Sequence, residues 1–200
     1  MKVAVITCAR KNSQRLPNKN HKLLFNKPLI QYTLDVMEFL KTNVNSNYEF
    51  YTISDCAIIK SIVERTSIKF IEEPEKYAKN DSDGMELMRW IHKKIDATHY
   101  FLLPPTFPIR NNYEILNHLE WIIECSNIMS AASVYKKNRN EYILNGNFFY
   151  YHKDQLNKTD LIDYNTHLLP DKYNFDIDTL ENFNKAEQFL KYMQEVIYED

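Results

Sequence analysis

Short runs of hydrophobic residues alternate along this chain with longer segments in which hydrophobic and polar positions recur at helical spacing. The first run, KVAVIT, is uninterrupted and rich in β-branched residues, as expected for a strand buried on both faces of a sheet. The next segment, PLIQYTLDVMEFLK, carries Ile30, Leu34 and Met37 at helical spacing, and Pro28 suits the first helical position. The pattern therefore predicts a strand followed by a helix.

The same alternation continues through the chain. Further strands are predicted at YEFYTIS, IKFIEEP, HYFLLPP, IMSAASVY and NGNFFYYHK. Further helices are predicted at DCAIIKSIVERT, SDGMELMRWIHKKI, NNYEILNHLEWIIEC and LENFNKAEQFLKYMQEVIY. A repeated strand–helix order predicts one α/β domain over residues 1–200, in which helices cover both faces of a mostly parallel sheet. Ligands bind such sheets beyond the carboxyl ends of the strands, so the loops that follow the strands are the candidate sites.

Composition and charge limit the possible partners. The chain is 44% hydrophobic and 26% charged with a formal net charge of −2, which is ordinary for a globular protein and gives no overall field to attract nucleic acid or an anionic membrane. The run VAVITCA is too short for a signal-peptide core, and no segment approaches the roughly 18 apolar residues that span a bilayer. The three cysteines show no CxxC spacing, which favours reduced thiols in a cytoplasmic protein.

The first candidate site is the stretch ITCARKNSQRLPNKN, directly after the first strand. It contains no glycine, and its cations are Arg10, Lys11, Arg15 and Lys19. Arginine offers a planar fork of donors and lysine a compact charge, and both suit the oxygens of a triphosphate. Asn12, Ser13 and Asn20 add neutral polar groups. The pattern indicates a phosphate-binding loop built from side chains, and a solvated basic turn is the alternative.

The second candidate site is the segment NFDIDTLENF. Asp176 and Asp178 flank Ile177, so in a strand both carboxylates would point to the same face. Two carboxylates opposite a polyphosphate suit Mg²⁺, which takes few protein ligands and completes its shell with phosphate oxygens and water. The alternative is that Asp178 caps the last helix and Asp176 is simply exposed.

The basic loop also resembles a known signature. ARKNSQRLPNKN is similar to the pattern A-R-x-x-S-K-x-L-P-x-K-N of the sugar-acid cytidylyltransferases, especially the acylneuraminate cytidylyltransferases (CMP-sialic acid synthetases). The shared positions are Ala9, Arg10, Ser13, Leu16, Pro17, Lys19 and Asn20, and Arg15 matches the commoner form. Softer matches follow in order at TISDC, FLLPPTFPIR, SAASV and ILNGNFFYY, and DIDTLENFNKAE is similar to the family's DIDTxxDxxxAE. The resemblance covers residues 3–190.

The resemblance implies a fold, a reaction and a set of site residues. The fold would be a three-layer α/β/α nucleotidyltransferase fold, Rossmann-like and GT-A-like. The reaction would transfer CMP from CTP to the anomeric hydroxyl of a 2-keto sugar acid and release pyrophosphate, for surface glycan synthesis. Arg10, Lys19 and Asp178 would be catalytic, and Asp176 and Asp178 would bind Mg²⁺. The implied nucleotide-binding set is Ala9, Arg10, Asn12, Ser13, Arg15, Lys19, Asn20 and Asp81, the last from YAKNDSDG.

The chain departs from the family pattern in four places. Gln14 stands where a lysine is usual, Pro104 replaces the glutamine of the family's QPTSP, and Phe107 replaces the following serine. The segment between SAASV and NG is short, and in typical members it helps to make a homodimer and overhangs the sugar pocket. These departures leave two alternatives open: a nucleotide-binding homologue without catalysis, or a transferase that uses another nucleotide or acceptor.

Overall fold

The computed structural model describes residues 1–79, 83–139, 141–163, 165–171 and 174–198. Nine strands are found in this part of the chain: β1 Val3–Cys8, β2 Leu23–Leu24, β3 Lys27–Pro28, β4 Tyr48–Ser54, β5 Lys69–Glu72, β6 His99–Leu102, β7 Ser130–Asn138, β8 Glu141–His152 and β9 His167–Asp171. Its α-helices are α1 Leu29–Asn43, α2 Ala57–Val63, α3 Gly84–Ile95, α4 Asn112–Glu124 and α5 Leu180–Tyr198. Short 3-10 helices span Lys19–His21 and Lys153–Asn157.

The central sheet has seven strands in the order β5-β4-β1-β6-β8-β7-β9. Strands β5, β4, β1 and β6 pair in parallel, β8 runs antiparallel to β6 and β7, and β9 pairs in parallel with β7. Strands β2 and β3 form a separate antiparallel hairpin. The predicted fold class, a three-layer α/β/α arrangement with a mostly parallel sheet, is confirmed.

Alternating residues of β1 show how the sheet is covered on both faces. Val3 and Val5 lie in a core with Leu34 of α1, Ile59 of α2 and Leu119 of α4. Because successive side chains of a strand point to opposite faces, Ala4 and Ile6 lie in a second core with Met85, Met88 and Ile91 of α3. A third, smaller core joins the end of the chain to the loop after β1; its buried members are Leu16, Leu24, Leu29, Ile177, Phe183 and Ala186.

Most predicted elements are present, with shifts at their ends. Asp83 caps α3 by accepting a hydrogen bond from the Met85 amide at 2.8 Å, and Asn111 caps α4. Pro28 is the N-cap of α1 rather than its first helical residue. Strand β9 was not predicted, because its five residues include Pro170, which is unfavourable within a sheet; a proline is tolerated there because β9 lies at the edge of the sheet.

The segment around Asp176 is held by a contact between loops. Residues 174–178 form no strand, and the Ile177 amide donates instead to the Thr106 carbonyl at 2.8 Å. Asp178 does not cap α5: Thr179 does, because its hydroxyl accepts from the Asn182 amide at 3.2 Å. None of the described helices is long and apolar enough to cross a membrane.

Candidate functional site

The loops after β1, β4 and β5 meet at the carboxyl edge of the sheet through a row of hydrogen bonds. The Ala9 amide donates to the Ile53 carbonyl at 2.9 Å, and the Ser54 hydroxyl donates to the Ala9 carbonyl at 2.5 Å. The Glu73 amide in turn donates to the Ser54 carbonyl at 3.0 Å. This row fixes the start of the basic loop, residues 9–20, at the edge where ligands of parallel sheets bind.

Two of the predicted site residues fix the path of the basic loop. Asn20 is buried, and its side-chain amide donates to the Arg10 carbonyl at 2.9 Å, which closes the loop upon itself. The Arg10 guanidinium donates to the Lys79 carbonyl at 3.0 Å and so joins the loop to the segment after β5. The Asn20 Oδ1 atom is buried without a partner among the described residues, so it is an acceptor that a ligand donor could use.

Two cations of the loop converge on Asp178. Lys19 is 8% exposed, and its ammonium group donates to the Ile177 carbonyl at 2.8 Å and pairs with Asp178 Oδ1 at 2.9 Å. Arg15 pairs with Asp178 Oδ2 at 2.7 Å from an exposed position. The basic loop and the acidic segment, far apart in sequence, therefore form one charged cluster.

Asp176 lies beside this cluster in a more enclosed position. Burial raises the pKa of Asp176 and the Asp178 carboxylate adds to the rise, whereas a hydrogen bond from Thr106 and the cations Lys19 and Arg15 oppose it. The backbone of Gly146 passes close by, because a Cβ placed there would lie 3.4 Å from Asp176 Cγ. Two neighbouring carboxylates, one of them poorly solvated, are a donor set that suits a hard divalent cation.

The described residues contain no group of three histidine, cysteine or acidic side chains that could hold a metal by themselves. Asp176 and Asp178 nevertheless fit Mg²⁺, which commonly takes one or two carboxylates and fills the remaining positions with phosphate oxygens and water. Asp178 could provide such a ligand only if Lys19 and Arg15 released its oxygens. Incoming phosphate groups would offer both cations alternative partners.

The other residues predicted to bind the nucleotide differ in how far they are exposed. Ala9 is buried at the end of β1, Asn12 is exposed and Ser13 is half-buried within the loop. Asp81 lies outside the described residues. The departures Pro104 and Phe107 lie near Arg110, and Phe107 is fully buried.

Arg110 is a residue that the sequence prediction missed. Its guanidinium donates to the carbonyls of Pro104 (2.6 Å), Phe107 and Asn147 (2.9 Å), to Asn147 Oδ1 at 2.8 Å and to the Thr33 hydroxyl at 2.9 Å. Burial lowers the pKa of Arg110 to about 9, and the nearby carboxylates Asp171 and Asp176 oppose that change. The available signal was a cation directly after a proline-rich strand end, in FLLPPTFPIR.

Glu73 was also missed. It follows β5 and is 5% exposed, and its Oε2 atom has no hydrogen-bond partner among the described residues. Burial raises the pKa of Glu73 to about 7; Asp55 adds to the rise and Arg10 opposes it. Its environment therefore includes a residue of the basic loop.

Sequence comparison finds related cytidylyltransferases. The chain is 26% identical over 148 residues to an N-acylneuraminate cytidylyltransferase from Escherichia coli, which covers 72% of this chain and 33% of that protein. It is 22% identical over 139 residues to the N-acylneuraminate cytidylyltransferase of Streptococcus agalactiae, again covering 33% of the relative. The matched region thus spans about a third of the length of these curated relatives.

Structural comparison and a family model agree with this result. A CMP:2-keto-3-deoxy-manno-octonic acid synthetase complexed with CTP superposes with a TM-score of 0.74 at 14% identity, over 96% of this chain and 100% of that one. A 4-diphosphocytidyl-2C-methyl-D-erythritol synthase from Anaerococcus prevotii superposes with a TM-score of 0.68 at 12% identity, over 95% and 98% of the two chains. The family model described as cytidylyltransferase matches residues 4–199, so the chain belongs to the cytidylyltransferase family.

Proposed function

We propose that this protein transfers CMP from CTP to the anomeric hydroxyl of a 2-keto sugar acid and releases pyrophosphate, with Mg²⁺ as cofactor. Membership of the cytidylyltransferase family supports the nucleotide, and the likeness to N-acylneuraminate cytidylyltransferases supports an acceptor of the sialic acid type or a related sugar acid. The observation that carries the proposal is the cluster in which Lys19 and Arg15 cover both oxygens of Asp178.

The cluster suits a metal-bound triphosphate because its charges can exchange partners. Phosphate oxygens would take Lys19 and Arg15 from Asp178, and the carboxylate so released would hold the metal together with Asp176. Lys19 begins from a buried and fixed position, so little conformational entropy is lost when it binds. Arg10 is held through its own carbonyl by Asn20 and lies on the same loop, where it would take a second set of phosphate oxygens.

Nucleotidyl transfer requires positioning and charge neutralisation more than a protein nucleophile. When bound, Mg²⁺ would polarise the phosphate oxygens and neutralise charge on the departing pyrophosphate. Arg10 and Lys19 orient the α-phosphate toward the acceptor hydroxyl, and Ala9, Asn12, Ser13, Asn20 and Asp81 are proposed to shape the nucleoside pocket. The free cysteines Cys8, Cys56 and Cys125 suit a reducing cytoplasmic location for this enzyme.

The first test is thermal unfolding with CTP, UTP, ATP or GTP, each with and without Mg²⁺. A ligand at 100 times its dissociation constant stabilises by about 2.7 kcal/mol, or roughly 5–11 °C for a chain of this size. We expect a shift that is largest for CTP and is increased by Mg²⁺, followed by pyrophosphate release when sugar acids are added. A larger shift with another nucleotide would indicate a different donor, and no shift with any of the four would contradict the proposal.

A further inference from the structure

Glu73 occupies a position at the carboxyl edge that the proposed phosphate and metal contacts do not use. Its backbone continues the hydrogen-bonded row that runs from Ala9 through Ser54, so it belongs to the same rim as the basic loop. Its carboxyl oxygen Oε2 is buried without a partner among the described residues. A buried acceptor left unpaired is costly, and such groups are frequently functional.

The order of the strands places Glu73 away from the charged cluster. Asp176 and Asp178 are joined to the loop after β6 through the bond from Ile177 to Thr106, whereas Glu73 follows β5. Strands β5 and β6 are separated by β4 and β1, which is roughly 14 Å at about 4.8 Å per strand. A nucleotide whose phosphates lie at the cluster would reach Glu73 by extending its base along the rim toward β4 and β5.

The charges around Glu73 suit a donor group of a base rather than another phosphate. Among the described residues, its charged and titratable neighbours are the Cys8 thiol of β1, Arg10 of the basic loop and Asp55 after β4. Asp55 is already an acceptor for the Lys11 amide at 2.5 Å. Two carboxylates with a single arginine repel an anion but can accept hydrogen bonds from an amino group.

We propose that Glu73 reads the base of the bound nucleotide by accepting a hydrogen bond from the exocyclic 4-amino group of cytosine, and that it thereby selects CTP over UTP. This inference rests on the proposed function. Uracil carries a carbonyl oxygen at the same position, and a carboxylate repels that oxygen instead of binding it. A site built around a buried hydrogen-bonding group discriminates strongly against an analogue that lacks its partner.

The contact between Arg10 and Lys79 links the phosphate-binding loop to the segment that follows Glu73. In the structure this bond holds the segment 74–79 to the basic loop, on the rim beside Glu73. When Arg10 turns to the phosphates this one contact would be lost, while Tyr77 and Ala78 of the segment are buried and hold it in place. Binding of the phosphates would therefore alter the contacts on the rim beside the acceptor that reads the base.

The test compares CTP and UTP binding, by calorimetry with Mg²⁺, in the wild type, in Glu73→Gln and in Glu72→Gln. Glu72 is the neighbouring glutamate and is exposed, so Glu72→Gln is the matched control. The glutamine amide can donate to the uracil oxygen, so we expect the CTP:UTP preference to fall by about tenfold or more in Glu73→Gln and to stay unchanged in Glu72→Gln.

The outcomes separate the two proposals. A wild type that prefers CTP, together with a Glu73→Gln variant that keeps the same preference, overturns the role of Glu73 and leaves the proposed function intact. A wild type that binds neither nucleotide overturns both. Circular dichroism of the variant checks that it is folded.

A measurement on the wild type alone covers the case in which Glu73→Gln does not fold. A protonated carboxyl group can donate to the uracil oxygen, whereas an ionised one cannot. We therefore expect the CTP:UTP preference to increase as the pH rises from 6 to 8.5, because Glu73 ionises in that range; titration of the triphosphate is common to both nucleotides and cancels in the ratio. A preference that is constant over this range would contradict the assignment.

Discussion

Lys19 and Arg110 are both enclosed cations near the carboxyl edge of the sheet, but they are satisfied in different ways. Lys19 is bound by one carbonyl and by the carboxylate of Asp178. Arg110 donates to three carbonyls, an amide oxygen and a hydroxyl, and the structure pairs it with no carboxylate at salt-bridge distance among the described residues. A cation whose donors are all taken by the fold holds loops together, whereas one paired with a potential metal ligand can change partners.

The largest expected effect is on stability, and it comes from Arg110. In Arg110→Lys the single ammonium group cannot reach the carbonyls of Pro104, Phe107 and Asn147 together, so enclosed acceptors lose their donors. We expect a loss of about 3 kcal/mol in the free energy of unfolding, measured by urea denaturation. The control Arg65→Lys changes an exposed arginine after α2 and should stay within about 0.5 kcal/mol. Equal stability of the two variants would show that Arg110 does not organise these loops.

The second-largest expected effect is a loss of activity, and it comes from changing Asp178, the carboxylate that pairs with Lys19. Asp178→Asn keeps the size of the side chain but removes the charge that Lys19, Arg15 and a metal would share. We expect pyrophosphate release to fall by about a hundredfold or more and the Mg²⁺-dependent part of the CTP thermal shift to be lost. The matched control is Asp35→Asn, because Asp35 pairs with Lys27 at 2.6 Å on the exposed side of α1. Full turnover in Asp178→Asn would contradict the metal assignment.

The sequence predicted the residues of the Lys19 cluster but not those of Arg110. Arg10, Lys19, Asp176 and Asp178 lie in compact motifs, so local spacing was enough to select them. Arg110 acts through Thr33 and Asn147, which lie 77 and 37 positions away, and no local pattern indicates such partners. The pairing of Lys19 with Asp178 likewise joins residues 159 positions apart and became visible only in the fold.

Local sequence patterns were limited in the same way for the strands and helices and for Glu73, because they do not show which contacts form in the fold. Strands and helices with a clear periodicity were predicted correctly, because an alternating or helical pattern reflects which face is buried. At Asp176 a contact between loops, from the Ile177 amide to the Thr106 carbonyl, replaces strand pairing, so the same-face geometry that a strand would give the two carboxylates does not apply. Glu73 was missed because IKFIEEP contains two adjacent glutamates, and burial distinguishes them only in three dimensions.

Glu73 extends the comparison to a buried carboxyl group whose Oε2 atom accepts no hydrogen bond among the described residues, and its effect should be intermediate in size. Its folded pKa of about 7 lies above the ordinary value of 4.5, so the folded state binds the proton more tightly than the unfolded state. Stability contributed by this group is present below about pH 4.5 and is lost as the pH rises through about 7.

We therefore expect Glu73→Gln, which does not titrate, to gain about 1–3 kcal/mol in unfolding free energy relative to the wild type between pH 5 and pH 8. Chemical denaturation at the two pH values measures this difference. The exposed Glu72→Gln variant should show no such change with pH, and a parallel pH response of all three proteins would mean that Glu73 is ordinarily solvated.

The smallest expected effect concerns the backbone that supports the Lys19 cluster, and it uses the two glycines of the chain as a matched pair. Gly146 has a φ of +70° and passes Asp176 so closely that a Cβ would lie 3.4 Å from the carboxyl carbon. Gly84 begins α3, and its nearest neighbour, Leu161 Cδ1, would lie at 3.8 Å. Gly146→Ala should therefore cost about 1–2 kcal/mol in unfolding free energy, because an alanine is strained at positive φ.

Gly84→Ala should be neutral or stabilising by up to about 1 kcal/mol, because alanine is favoured in a helix and has room there. Because backbone movement that relieves the positive φ in Gly146→Ala would also shift the contact with Asp176, the same variant should weaken the Mg²⁺-dependent CTP shift, whereas Gly84→Ala should not. Urea denaturation and thermal unfolding with CTP measure the two effects separately. A Gly146→Ala variant that loses stability but keeps the full metal-dependent shift would show that the backbone at Gly146 does not position Asp176 for a metal.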